Sequence, residues 1–212
     1  MREYIRNIKT KIAYMSRKEK LEYILTYYWY HILGLLTVIG LIIFLILHFG
    51  FGEKKPEFTC VMVNQQIDYD RDEALAGAFG KVEKIPEDRI VISSDYLISY
   101  EDVKLEDENK SSYEKFFFQW SGQELDAVIM TEDFYRYCKK MNGTFRDMDT
   151  FDTGNLTLYE DGAKKTGIRI EGTKLEKILK TDKEETWILV FPANGTHKNA
   201  CQKFIDYIGD GK

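Results

Sequence analysis

Ile32-Leu33-Gly34-Leu35-Leu36-Thr37-Val38-Ile39-Gly40-Leu41-Ile42-Ile43-Phe44-Leu45-Ile46-Leu47 holds nothing more polar than one threonine. The uncharged run is longer still, because no Asp, Glu, Lys or Arg occurs among the 30 residues from Tyr23 to Gly52. At about 1.5 Å per residue, a helix from Trp29 to Phe49 spans about 30 Å, the thickness of a bilayer's hydrocarbon core. Aromatic residues stand at both ends, Tyr27, Tyr28, Trp29 and Tyr30 before it and Phe49 and Phe51 after it, as at membrane interfaces. A soluble core helix of this length keeps a polar stripe, and this one has none. A membrane-spanning helix is therefore expected over 30–52, retained as an anchor. No small-x-small cleavage site follows it, and the exit reads His48-Phe49-Gly50-Phe51-Gly52-Glu53.

Outward from that run the charge divides. Residues 1–29 carry seven Lys and Arg against three Glu, a balance of +4, and residues after the helix carry 23 positives against 32 negatives, or −9. The net −5 of the 212-residue chain conceals this split. Positive charge beside a spanning helix stays in the cytoplasm. The expected layout is a basic cytoplasmic segment over 1–29, the helix over 30–52, a linker over 53–56 and an extracytoplasmic domain over 57–212. The expected location is the cell membrane, with the lipid bilayer as first partner. A sequence pI of 5.4 argues against nucleic acid as another. Ser16-Arg17-Lys18-Glu19 fits a capping box, so the helix is expected to start near Arg17. Before it, Tyr4, Ile5, Ile8, Ile12 and Tyr14 alternate with basic residues, a topology signal with some helicity.

The remaining residues, about 155 of them, suffice for one hydrophobic core. Apolar runs predict strands at Phe58–Val63, Arg89–Ser93, Leu125–Met130, Leu156–Tyr159, Thr166–Ile170 and Trp187–Phe191. Tyr96 to Tyr100 is read as extending the second strand or pairing with it. Helical periods fall at Asp72–Val82, Ser112–Trp120, Glu132–Lys140, Thr173–Leu179 and His197–Ile208, and the acid-rich stretch Glu101 to Lys110 reads as a loop. Strands alternating with helices, most of them continuously apolar, predict an α/β fold with a mainly parallel sheet covered by helices on both faces.

Three segments carry a resemblance. Gly122-Gln123-Glu124-Leu125-Asp126-Ala127-Val128-Ile129-Met130, running into the helix at Glu132, is similar to a Gly-x-x-Asp strand–helix segment of type 2 periplasmic solute-binding proteins. Gly143-Thr144-Phe145-Arg146-Asp147-Met148 resembles their glycine-containing turn, and Trp187–Asn194 with the helix bearing Ala200, Phe204, Ile205 and Tyr207 resembles their late strand and helix. The likeness covers most of 57–209 in order and spacing. It implies a short, membrane-tethered extracytoplasmic domain that binds a small solute or peptide. Ligands of open α/β sheets sit outside the carboxyl ends of the strands. Those ends offer Asn64, Ser93, Ser94, Asp95 and Thr131 as polar groups, with Tyr96 and Tyr159 as aromatic walls. The same residue types also serve as ordinary caps and turns.

Catalytic and metal patterns are thin. Phe151-Asp152-Thr153-Gly154 has one copy of an aspartic-protease-like sequence, and a glycine turn is the expected reading. Asp68, Asp70 and Asp72 open like a calcium loop, but Glu73 and Phe79 stand where glycine and glutamate are needed, so a loop capping the next helix is expected. His197 is the one histidine beyond the membrane helix, which leaves no zinc site and no serine triad. Cys60, Cys138 and Cys201 lie in apolar segments and read as buried thiols. No enzyme, metal or cofactor is expected. The expectation is a solute- or peptide-binding domain, and its alternative a non-catalytic interaction or scaffold subunit of a membrane complex such as a transporter.

Overall fold

A computed structural model of the protein describes residues 15–50, 55–101, 103–105, 110–179, 181 and 184–209. The alternating pattern before residue 15, the aromatic at 51 and the first linker residues lie outside them. The chain divides into two compact units, Met1–Glu53 and Lys54–Lys212.

The first unit is built on helix α1, Arg17–Gly50. The capping box forms: Ser16 N–H donates to Glu19 Oε2 at 2.7 Å, and Glu19 N–H donates to Ser16 Oγ at 3.4 Å. Hydrogen bonds from Ser16, its backbone N–H first and then its hydroxyl, hold the Glu19 carboxyl below its ordinary value. The stretch Leu25–Leu47, 23 residues, is long and apolar enough to cross a membrane, and its most apolar part, of mean hydropathy 2.6, is nowhere buried by protein. Thr37, the polar exception, turns its hydroxyl to Leu33 C=O at 2.9 Å and so satisfies itself within the helix.

The second unit holds one six-stranded sheet. Its strands are β1 Phe58–Val63, β2 Ile90–Tyr96, β3 Ala127–Thr131, β4 Leu158–Asp161, β5 Lys164–Arg169 and β6 Trp187–Val190, in the order β2-β1-β3-β6-β5-β4. The helices are α2 Tyr69–Glu83, α3 Lys110–Ser121, α4 Glu132–Lys140, α5 Lys174–Leu179 and α6 Lys198–Gly209. One face of β1, Phe58, Cys60 and Met62, packs under α2, α5 and α6, where Phe58, Phe79 and Phe204 meet at 4.9–5.3 Å between ring centres. The other, Val61 and Val63, packs under α3 and α4 with Phe116, Trp120 and Phe134. Every residue of β1 and β3 is buried, which is why these strands read as unbroken apolar runs.

The fold is α/β, but the sheet is mixed rather than mainly parallel. β1 runs parallel to β2 and β3, whereas β6 is antiparallel to both β3 and β5, and β5 to β4. One connection imposes part of this. β4 and β5 are joined through Gly162-Ala163, with Gly162 at φ +65°, and so tight a turn reverses the chain. The connection over 170–186, with its six-residue helix, brings β6 in beside β5 running the opposite way.

The β1–β2 pair contains a register shift. Val61 pairs with Ser93 but Val63 with Tyr96, so β2 carries one extra residue there. The bulge puts Ile92 in the α2 core and Tyr96 in the α3 core, although an even number of residues separates them.

Candidate functional site

The order β2-β1-β3 puts the switch in strand order between β1 and β3, and ligands of such sheets sit at the strands' carboxyl ends. Asn64, immediately after β1, adopts φ +58°, a left-handed conformation that asparagine tolerates. Its side chain closes a two-bond ring with the backbone of one residue: Ile98 N–H donates to Oδ1 at 2.7 Å, and Nδ2 donates to Ile98 C=O at 3.0 Å. The segment after β2 is thereby pinned across the end of β1. Ile98 is fully buried, and the Tyr100 ring packs on Phe134 and Tyr137 at 5.0 and 5.4 Å. Burial raises the Tyr100 phenol above its ordinary value, and its hydrogen bond with Thr131 partly offsets this. Thr131 also caps α4, its Oγ1 accepting from Phe134 N–H at 3.3 Å.

Ser94 has no exposed surface. It donates through N–H and Oγ to Asp72 Oδ2, both at 2.6 Å, and its Oγ accepts from Asp68 N–H at 3.1 Å. Asp68 caps α2, accepting from Arg71 N–H, so the acid-rich loop caps the next helix as expected. Ser93 accepts from Asp95 N–H at 3.3 Å, and both side chains are half-buried. Tyr96 donates to Gln119 Oε1 at 2.6 Å under the Lys115 ammonium, and burial pushes its phenol up to about 12. Tyr159 lies on β4, where its hydroxyl donates to Glu132 Oε1 at 3.1 Å in the first turn of α4. Thr131 and Tyr159 thus converge on one helix start, Asn64 and Tyr96 hold the strand ends, and Ser94 belongs to the cap of α2. Asn64, Ser94, Tyr96, Thr131 and Tyr159 all have polar side-chain atoms engaged inside the fold.

A second constellation went unread in the sequence. Asp126, 2% exposed just before β3, accepts from Thr59 N–H at 2.9 Å through Oδ2 and from His197 N–H at 3.2 Å through Oδ1. Both oxygens lie 3.1 Å from His197 Nδ1. The pair joins β1, β3 and the start of α6 at the amino ends of the parallel strands, beside an open groove of about 500 Å³. A charged residue between Leu125 and Ala127 was the available signal. Cys201 donates its thiol to Asp126 C=O at 3.5 Å, and burial pushes that thiol up to about 12. The pair braces these elements against one another.

The remaining motifs resolve structurally. Gly143–Met148 lies beside the end of β6: Arg146 N–H donates to Phe191 C=O at 2.8 Å, and Ala193 N–H to Thr144 C=O at 2.9 Å. Asp152 forms a glycine turn, its Oδ1 accepting from Gly154 N–H at 3.1 Å, and Gln202 exchanges two bonds with its backbone. Cys60, Cys138 and Cys201 are buried free thiols. Among the described residues no three His, Cys, Asp or Glu side chains are grouped to hold a metal. In comparisons with known proteins, no family model, curated protein or solved structure matches the chain.

Proposed function

We propose that this chain is a single-pass membrane-anchored protein, N-terminus in the cytoplasm, whose extracytoplasmic α/β domain is a non-catalytic interaction module of a membrane complex. One observation carries the reading: at the carboxyl ends of β1 to β3, Asn64, Ser94 and Thr131 are hydrogen-bonded within the fold, and Ile98 and Tyr100 pack across them. A solute-binding crevice needs convergent polar groups free to meet the ligand. The apolar helix Leu25–Leu47 supports the anchor, and the +4 and −9 charge balances on its two sides support the orientation.

The test uses the full chain in lipid nanodiscs and in its native membrane. A thermal-shift screen of solutes and short peptides is expected to leave the melting temperature within error, and chemical crosslinking in the native membrane to trap the chain with another membrane protein. A ligand present at 100 times its Kd stabilises by about 2.7 kcal/mol, or about 5 °C or more for a domain of this size. A shift of that size would return the reading to solute capture by the solute-binding-like fold, with the seven strand-end residues as its lining.

A further inference from the structure

We propose that the exposed edge of β2 is a docking strand, taking an extended, basic segment of a partner protein by backbone pairing. The inference deepens the interaction reading and rests on it.

The strand order leaves β2 at one margin of the sheet. Peptide groups alternate in direction along a strand. Arg89 C=O accepts from Glu57 N–H on the β1 side, Ile90 N–H turns instead to Glu87 C=O, and Ser94 N–H turns to Asp72. Val91 and Ser93 therefore face β1, and Ile92 presents its N–H and C=O outward. The Asp72 carboxylate closes the ladder at Ser94, so among the described residues the open stretch is short and centred on Ile92. Natural edges are blunted by Lys or Pro, and Ile90-Val91-Ile92-Ser93 contains neither.

The ground beside this edge has a definite chemistry. A groove of about 370 Å³ runs between β2 and α2, with Tyr69, Ala76 and Val91 as apolar floor and Glu73 and Glu87 on its rim. A second groove of about 500 Å³ shares those two glutamates and continues along α2 over Ala74, Gly77 and Ala78, adding Asp70 and one cation, Lys81. Val91 and Tyr69 are 43% and 66% exposed, large apolar surface in an acidic frame. A second copy of this chain would bring acid against acid and is disfavoured. A strand alternating basic and small apolar residues sets its cations on Glu73, Glu87 and Asp70 and its apolar side chains on Val91 and the alanines.

The test uses the full chain in nanodiscs of neutral phosphatidylcholine, so that lipid does not attract the probe. The probe is a capped, fluorescent, alternating lysine–valine heptapeptide. Its control has proline for the central valine, with the same charge but a broken backbone ladder. Saturable binding of the probe, slowed hydrogen exchange in 90–93, and about tenfold weakening by the control and by Glu73→Lys with Glu87→Lys are expected. Both glutamates are exposed, so these replacements leave the fold intact. Equal binding of the control, protection elsewhere, or concentration-dependent protection of 90–93 without peptide would each overturn the docking strand, the last in favour of a second copy. Native-membrane crosslinks that survive the double replacement would overturn this inference alone; their absence from the unmodified chain would remove the interaction reading beneath it.

Discussion

Asp126 is a residue on which three elements of the second unit converge, since one buried carboxylate accepts from two backbone amides and approaches an imidazole. Replacing it leaves the buried Thr59 donor unmatched and frees the exposed His197 at the start of α6. Asp126→Ala is expected to cost about 3 kcal/mol, read from the urea midpoint by tryptophan fluorescence; a loss under about 0.5 kcal/mol would contradict the brace. Asn64 separates two contributions. Asn64→Gly loses both bonds to Ile98 but keeps the left-handed backbone at ease, whereas Asn64→Ala also meets the αL penalty, so alanine is expected to be worse by about 1 kcal/mol. Equal losses would show that φ is relaxed rather than held. The Tyr96 phenol, held up to about 12 by burial against an ordinary value near 10, gives a pH prediction. Below pH 10 both folded and unfolded chains keep the proton and the contribution is full. Between pH 10 and about 12 the unfolded chain releases it and the fold does not, so stability falls as pH rises. The urea midpoint is expected to drop from pH 9 to pH 11.5, less steeply in Tyr96→Phe; identical slopes would rule the phenol out.

At the scale of elements, the strands and helices of the doubly covered half were legible to within three residues at their ends. Phe58–Val63 and Glu132–Lys140 keep their predicted limits because an unbroken apolar run and a capped amphipathic period are local facts. The roles of Asn64 and Ser94 were not local, whereas Thr131 is a local cap. Each side chain satisfies a backbone group, and for Asn64 and Ser94 the partner lies more than 20 residues away, so the same letters fit a ligand site or a brace. Asp126 was hidden by the same ambiguity. Two replacements test how α4 is secured. Thr131→Ala removes the cap of α4 and is expected to cost about 1 kcal/mol. Gly143→Ala would bring a Cβ within 2.7 Å of Cys138 C=O and 3.2 Å of the Trp120 ring, and is expected to cost about 2 kcal/mol with a lowered melting temperature. An unchanged midpoint in either variant would show that the close approach or the cap is not what secures α4.

Across the whole molecule, the α/β class was legible and the strand directions were not. Direction depends on how each connection returns the chain, which apolar runs do not encode; only the two-residue turn between β4 and β5 forces its pairing, whereas β3–β6 and β5–β6 are antiparallel through longer connections. The long apolar helix was the plainest feature of all, because its most apolar stretch is covered by no protein and lipid is the medium that suits it. In the proposed reading, the charge split on either side sets the direction of insertion. The native thiols are buried and make poor reporters, whereas Phe118 on α3 is 76% exposed. The decisive measurement is therefore labelling of full-length Phe118→Cys with a membrane-impermeant maleimide on intact cells, beside the unmodified chain. Labelling of the variant alone, before the membrane is opened, is the predicted result; labelling that begins only after permeabilisation would contradict an outer domain held by a single anchor.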